Sequence, residues 1–141
     1  MRLREFTYPT PIDTFLINEW TLVEGSVYKG KLFDKTIQRF AHDPQVAAKL
    51  DEFVAFKIAN PAEPFGAKDY PMVKKGPFGV VDGLRHAGLT QDASVFYSVK
   101  GGDLKLYGVF THKEAGIGNS PNIKTQKQVA KTMKKQKFGE Y

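Results

Sequence analysis

The sequence predicts an α+β fold in which helices come first, an antiparallel β-meander of three or more strands follows, and a basic helix closes the chain. Three observations support this prediction. An apolar stripe at helical spacing runs from Val46 to Lys57, strand-forming stretches flank the turn at 100–103, and lysines concentrate after Pro121. The 141 residues match the size of one domain, so we expect a single domain over residues 1–141.

Two short helices are predicted in the first forty residues. Asp13 could cap the first of them, whose helically spaced residues are Ile12, Phe15, Leu16, Glu19 and Trp20. Gly25 and Gly30 mark turns. The second helix would run from about Lys31 to Ala41 and bury Phe33, Ile37 and Phe40 on one face.

The clearest element is a longer helix that begins at Asp43-Pro44. An aspartate can accept hydrogen bonds from the free N–H groups of the first turn, and proline is tolerated there. Its buried stripe would comprise Val46, Leu50, Phe53, Val54 and the aliphatic stem of Lys57. Asn60-Pro61 ends the helix, because the residue before a proline avoids the helical conformation.

The stretch from Pro61 to Gly79 is a connection that holds four prolines and three glycines. Three aromatic residues, Phe65, Tyr70 and Phe78, would anchor it against the core. Connections of this length are often functional.

Three strands are predicted next, over Val80–Leu89, Asp92–Val99 and Leu104–His112. The last two are joined by the turn Lys100-Gly101-Gly102-Asp103, in which the glycines supply positive φ angles. Alternation in the third strand separates two sets of side chains onto opposite faces. The first set is Leu104, Leu106, Gly108 and Phe110, and the second is Lys105, Tyr107, Val109 and Thr111.

A last helix is predicted from Ser120-Pro121 to about Lys137. Val129, Ala130 and Met133 share one arc, which would lie on the sheet. The opposite arc is basic and comprises Lys124, Lys127, Lys131, Lys134 and Lys135.

The net charge of +6 is concentrated at the C-terminal end, where residues 121–141 carry six lysines and one acid (6 − 1 = +5). Such a patch suits a polyanion, namely nucleic acid, a ribosome or an acidic protein partner, and it equally suits a solvated tail that keeps the protein soluble. Because the chain has no cysteine, disulfides, thiolate metal sites and a cysteine nucleophile are excluded. We find no signal peptide and no apolar run long enough for a bilayer, and we expect a cytoplasmic protein.

Motifs for nucleotide binding and metalloprotease chemistry are absent from the sequence, and three histidines make a histidine-rich metal site improbable. We therefore expect no metal and no cofactor. Ser94 and Ser98 lie in the middle of a strand, which argues against a serine nucleophile on an exposed elbow.

What remains is a loose set of acid–base, cationic and aromatic residues: Arg85, His86, His112, Lys113, Tyr97 and Tyr107. Histidine exchanges protons near neutral pH, cations stabilise a phosphoryl transition state, and tyrosine stacks on bases. Metal-free RNA cleavage needs such groups. The alternative reading is that either histidine is a structural residue whose hydrogen bonds are satisfied in the core.

The order of features resembles one family. Phe65-Gly66-Ala67-Lys68-Asp69-Tyr70-Pro71 is similar to the F-G-basic-D segment of YafO-type toxins, which are distant members of the RelE-like mRNA interferases. A histidine in the first strand, a D-x-S-x-x-Y strand at 92–97, a glycine turn and His112 follow in the family's order, and a final helix closes with Phe138. The resemblance covers about residues 50–138. Gly88 stands where the family tends to carry a second histidine.

The resemblance implies a RelE-like α+β toxin that cleaves mRNA on the ribosome without a metal and is held in check by an antitoxin. His86 and His112 would be the acid–base residues, while Arg85, Lys68 and Lys113 would contact phosphate. Asp69 would orient a partner. Ribosomal RNA would meet the C-terminal lysines, among them Lys124, Lys127, Lys131 and Lys134. The alternative is a non-catalytic basic module that docks on nucleic acid or an acidic protein.

Overall fold

The computed structural model describes residues 26–141, which form an α+β fold around a six-stranded sheet, in agreement with the predicted class. In chain order the elements are β1 (Val27–Gly30), α1 (Lys31–Gln38), α2 (Pro44–Ala59), β2 (Tyr70–Pro71), a 3₁₀ turn (Pro77–Val80), β3 (Arg85–Gly88), β4 (Ala93–Lys100), β5 (Asp103–Thr111), α3 (His112–Ala115), α4 (Ile123–Lys135) and β6 (Phe138–Glu140). The helix expected after Asp13 lies outside the described residues.

The strand order in the sheet is β2-β3-β4-β5-β1-β6. Strands β2 to β5 pair antiparallel in succession, which confirms the predicted meander. Strand β1 pairs parallel with β5, and β6 pairs antiparallel with β1. Strands β1, β2 and β6 are not predicted by the sequence, which indicates helices before any strand. Each is short, and its pairing joins residues far apart in the chain, so local patterns carry little signal for it.

Helices pack on both faces of the sheet and divide the core in two. One cluster joins α1 and α2 to the sheet through Phe33, Phe53, Val95, Leu106 and Val109. The other joins α4 and the 3₁₀ turn to the opposite face through Phe78, Phe96, Phe110, Ala130 and Met133. We call these the α2 face and the α4 face. The predicted placement of the last helix on the sheet is therefore confirmed.

The helix α2 begins and ends where the sequence predicts. The Asp43 carboxylate accepts hydrogen bonds from the N–H groups of Gln45 and Val46, which caps the first turn. Helix α1 ends earlier than predicted, at Gln38. Helix α4 begins later than predicted, because Asn122 and not Ser120 caps it through the N–H of Thr125. The buried stripe of α2 comprises Val46, Leu50, Phe53, Val54 and Lys57, as predicted.

The first predicted strand is shorter than Val80–Leu89, because Gly83 has a φ of +67° and turns the chain before β3. The hairpin turn is confirmed, with φ of +59° at Gly101 and +85° at Gly102. In the connection before β3, Phe65 packs against the α2 face and Phe78 is buried on the α4 face. Tyr70 is exposed, so its predicted role as a core anchor is wrong.

A bulge in β5 changes which side chains share a face. Phe96 pairs with Gly108 whereas Tyr97 pairs with Leu106, so Tyr107 is an extra residue in β5. Strict alternation, which put Phe110 on the face of Leu104 and Leu106, is therefore wrong. Leu104, Leu106 and Val109 belong to the α2 face, while Tyr107 and Phe110 belong to the α4 face. Among the described residues, no helix is long and apolar enough to cross a membrane.

Candidate functional site

The two histidines of the meander meet on the α4 face. Their ring centroids lie 6.0 Å apart, with the ring planes inclined by 19°. His86 lies in β3, opposite Phe96 of β4, and His112 opens α3 directly after β5. The meander places β3 and β5 on either side of β4, so residues 26 positions apart in the chain become neighbours (112 − 86).

His86 is buried between aromatic rings. Its side chain is 2% exposed, and the rings of Tyr70 and Phe96 lie 4.6 and 5.5 Å from it, centroid to centroid. Burial, followed by the charge of His112, lowers the pKa of His86 below its usual value, so the imidazole is neutral at neutral pH. Its Nδ1 has no hydrogen-bond partner in the described part of the chain. Buried polar atoms without a partner are rare in folded proteins.

His112 is more accessible and is fixed by the start of α3. Thr111 and Glu114 form a capping box, in which the Thr111 hydroxyl accepts from the N–H of Glu114 and the Glu114 carboxylate accepts from the N–H of Thr111. Arg39, which directly follows α1, also pairs with Glu114. The Ser94 hydroxyl lies 3.4 Å from Nε2 of His112. The backbone and the ring of His112 are thus both held in place.

A cleft of about 770 Å³ opens beside His112. Its wall includes Lys113, which is exposed, Gly118, and the polar residues Asn119, Ser120, Asn122 and Thr125. His86 does not line this cleft. A molecule in the cleft would therefore meet the histidine pair at His112.

Lys68 joins the same face from the neighbouring loop. A Cβ atom built on Gly88 would lie 3.3 Å from Cβ of Lys68, so the lysine stem covers the space above Gly88. Gly88 and His86 point to one side of β3, because they are two residues apart. The stem of Lys68 thus occupies the place where the resemblance leads one to expect a second histidine.

Arg85 and Asp69 lie on the opposite face of the sheet. Adjacent strand residues point to opposite sides, and Arg85 accordingly faces α2, where its Nε donates to the Tyr97 hydroxyl at 3.0 Å. Its Nη2 lies 3.4 Å from Oδ1 of Asp69. Arg85 and Asp69 therefore lie on the opposite face of the sheet from the His86 side chain, and the expectation that the three side chains share one site is wrong.

The two tyrosines expected to stack on bases are buried. Tyr97 is 0% exposed and donates its hydroxyl proton to Asp69, and burial with that hydrogen bond raises its pKa. Tyr107 packs edge-on against Phe138, with 5.0 Å between ring centroids, and its hydroxyl lies 3.3 Å from that of Ser98. Neither ring offers a free face to a nucleobase, so this part of the expected site is wrong.

The predicted basic stripe is on the surface. Lys124, Lys127, Lys131, Lys134 and Lys135 are all exposed on α4, while Ala130 and Met133 are buried against the sheet. No group of three or more histidine, aspartate or glutamate residues in the described chain could hold a metal ion.

Sequence reasoning missed Lys57 and Ser94 as parts of this architecture. The sequence pattern places Lys57 in the apolar stripe of α2 because of its aliphatic stem. A lysine at such a buried position needs an anionic partner, and this requirement was the signal that could have revealed the pair with Asp69. Ser94 falls on the His86 side of β4, but its approach to His112 depends on the pairing of β4 with β5, which no local pattern reveals.

No protein-family model matches the sequence, and no curated protein is significantly similar to it. Several solved structures similar to this chain are toxins. The chain is similar to the Escherichia coli DinJ–YafQ toxin–antitoxin complex, with 19% identity, a TM-score of 0.53, and coverage of 64% of this chain and 96% of that chain. It is similar to YafQ alone, at 19% identity, 63% and 94% coverage and a TM-score of 0.52.

A copper-bound mutant toxin from Helicobacter pylori is also similar, with 21% identity, a TM-score of 0.51, and coverage of 63% of this chain and 96% of that chain. The protein therefore has the same fold as the YafQ toxin. These toxins are matched almost over their whole length, whereas about a third of this chain extends beyond them.

Proposed function

We propose that this protein is a toxin-like endoribonuclease that cleaves mRNA on the ribosome by metal-independent acid–base chemistry in the cytoplasm. The observation that carries the proposal is the stacked pair His86–His112 beside the cleft, with Lys113 and Lys68 near it. The likeness of the fold to YafQ supports a toxin role, and the DinJ–YafQ complex suggests an antitoxin as partner.

In this proposal His112 is the group that exchanges a proton with the RNA. It lines the cleft, and the Ser94 hydroxyl near its Nε2 orients the imidazole. Cleavage requires removal of the proton from the ribose 2′-hydroxyl and protonation of the departing 5′-oxygen, and an imidazole can serve either step. Lys113 and Lys68 would stabilise the added negative charge on the phosphorane.

His86 would influence the protonation of His112 and its contact with water. Two imidazoles this close disfavour simultaneous protonation, and His86 is the one kept neutral by burial. A neutral stacked ring excludes water from one side of His112 without competing for its proton. Arg85 and Asp69 would act from the other face of the sheet by fixing the loop that bears Lys68.

The narrower resemblance to YafO-type toxins rests on the motif order in residues 65–112 and stays a prediction. The RNA contacts at Lys124, Lys127, Lys131 and Lys134 also stay predictions. Their exposure on α4 makes them available to ribosomal RNA.

The test is induction of the wild-type protein, followed by mapping of RNA 5′ ends with and without translating ribosomes. Cuts in mRNA that need translation, and that disappear in a folded His112→Ala variant, are the expected result. Growth arrest without any RNA cuts would overturn the nuclease proposal.

A second function is favoured by one observation, the five lysines exposed on the outer face of α4. It is a non-catalytic module that binds nucleic acid or an acidic protein. In that case, changes at His112 would leave function intact, whereas charge reversal on α4 would abolish it.

A further inference from the structure

Lys57 carries a positive charge into the core of the α2 face. Its side chain is 2% exposed, and its Nζ lies 2.8 Å from Oδ2 of Asp69 and 2.6 Å from the carbonyl oxygen of Glu63. The same ammonium lies 5.1 Å from the centroid of the Tyr97 ring. A buried charge destabilises the fold unless it is paired, so the role of Lys57 depends on the contacts that its partner Asp69 makes.

That partner, Asp69, is the point at which the connection between α2 and β3 is tied to the fold. Its fully buried carboxylate accepts from Lys57, from the Tyr97 hydroxyl, from Arg85 and from the backbone N–H of Phe65. Burial alone would raise the pKa of Asp69, but the hydrogen bonds from Lys57, Tyr97 and Phe65 outweigh it and lower the pKa below its usual value. The carboxylate is therefore charged and fully bonded.

The residues on either side of Asp69 face the histidine pair. The stem of Lys68 lies over Gly88, and the ring of Tyr70 lies 4.6 Å from that of His86. The backbone of Tyr70 pairs with His86 at the edge of the sheet. On the α4 face the loop is held by this two-residue strand and by Met72, whose N–H donates to the Leu84 carbonyl oxygen, whereas the buried carboxylate holds it on the other face.

We propose that Lys57 is a positioning residue for the candidate site: through Asp69 it holds Lys68 and Tyr70 against β3 beside His86. The contact between Lys57 and Asp69 lies on the α2 face. The residues that it positions, Lys68 and Tyr70, are the two chain neighbours of Asp69, and their side chains lie on the α4 face. The consequence for RNA cleavage rests on the proposed function, but the positioning itself does not.

The first experiment measures position by NMR, without reference to activity. We compare wild type with Lys57→Met, Asp69→Asn and the double variant Lys57→Met/Asp69→Asn, which buries no unpaired charge. Lys35→Met, an exposed lysine of α1, is the matched control. The readouts are the nuclear Overhauser effect between the Tyr70 and His86 rings, the titration of His86, and amide exchange in residues 65–71.

The expected result in each folded Lys57 variant is a weaker Tyr70–His86 signal and faster exchange in residues 65–71, with α2 still protected. In Lys57→Met the pKa of His86 should rise towards its ordinary value, because water gains access to a ring that Tyr70 covers and His112 of α3 faces. In the double variant the loss of the Asp69 charge, which raises the pKa of His86, opposes this rise, so the ring contact and amide exchange decide there. Lys35→Met should match wild type. An unchanged ring contact and unchanged amide exchange in residues 65–71 of the folded double variant would overturn the proposal.

The second experiment measures cleavage of mRNA on ribosomes. If the loop shifts by about 1 Å, kcat should fall about 10- to 100-fold while KM stays within about twofold. If wild type cleaves no RNA, the proposed function fails and the NMR result still decides the role of Lys57. If wild type cleaves and the folded Lys57 variants cleave equally well, the positioning proposal fails.

Discussion

His86 and His112 stack with their ring centroids 6.0 Å apart, and only His112 lines the neighbouring cleft. The pair is therefore asymmetric, with one imidazole in the core and the other beside solvent. Because of this asymmetry, we expect substitutions at the two histidines to have different effects. Changes at His112 should act on chemistry, and changes at His86 should act on stability as well.

The first prediction concerns the accessible histidine. His112→Ala should lower RNA cleavage about 10²- to 10⁴-fold, the range expected for loss of a general acid or base. The fold should persist, because Thr111 and Glu114 still cap α3. The measurement is single-turnover cleavage of mRNA on ribosomes, with circular dichroism to verify folding.

The matched control is His42→Ala. His42 is exposed and precedes the cap of α2, far along the chain from the pair. It should cleave like wild type. A folded His112→Ala variant with wild-type cleavage would exclude the acid–base role.

The second prediction is a loss of stability in mild acid. The pKa of His86 is lowered in the folded protein, first by burial and then by the charge of His112, from an ordinary value of 6.5. Between the folded and the unfolded pKa, the unfolded chain therefore binds a proton at His86 that the folded chain does not bind. Stability should therefore be full above about pH 6.5 and decrease as the pH falls from there to the lowered folded pKa.

The second prediction is tested by measuring the urea concentration at which half of the protein is unfolded, at several pH values from 7.5 to 4.5, for wild type and His86→Gln. The glutamine variant cannot titrate, so its midpoint should depend less on pH in this range. Equal pH dependence of the two proteins would show that His86 does not contribute to acid sensitivity.

Much of the fold follows from local signals in the sequence. The Asp43 cap, the stripe of α2 and the Gly101-Gly102 turn each encode their conformation within a few residues, and the structure has all three. Strand β1 does not, because its four residues gain their partners only when β5 lies beside them. The bulge at Tyr107 also has no signal in the sequence, because it is defined only by the pairing of β5 with Phe96 and Tyr97 of β4.

The candidate site was predictable in its residue types and less so in its geometry. The convergence of His86 and His112 depends on β4 lying between β3 and β5, which spacing alone does not determine. The separation of Arg85 from His86 could have been foreseen, because neighbours on a strand point to opposite faces. The burial of Tyr97 follows from the same rule once α2 is known to cover that face.

The third prediction concerns the buried carboxylate. Asp69→Ala should lower the free energy of unfolding by about 3–5 kcal/mol, because it leaves the buried Lys57 ammonium without its anion. Asp82→Ala is the control, since Asp82 pairs with Lys100 at an exposed site where ion pairs contribute little. Urea denaturation of the three proteins provides the comparison. If Asp69→Ala and Asp82→Ala are equally stable, the Lys57–Asp69 pair does not hold the fold.

The fourth prediction separates the nuclease from the binding module through the basic face of α4. Reversal of Lys127, Lys131 and Lys134 to glutamate should weaken RNA binding and reduce its salt dependence. Loss of three phosphate contacts should lower the slope of log affinity against log salt by about 2 for a single strand. A control variant with the same change in charge carries glutamate at three exposed lysines of α1 and α2: Lys31, Lys35 and Lys49.

Fluorescence anisotropy with a labelled RNA, at salt concentrations from low to physiological, gives both slopes. The α4 variant should lose affinity, while the control should keep the wild-type slope. If the two variants weaken binding equally, attraction is set by net charge and not by the face of α4. If the α4 variant loses function while His112→Ala keeps it, the protein acts by binding, because only a nuclease needs an imidazole in the cleft.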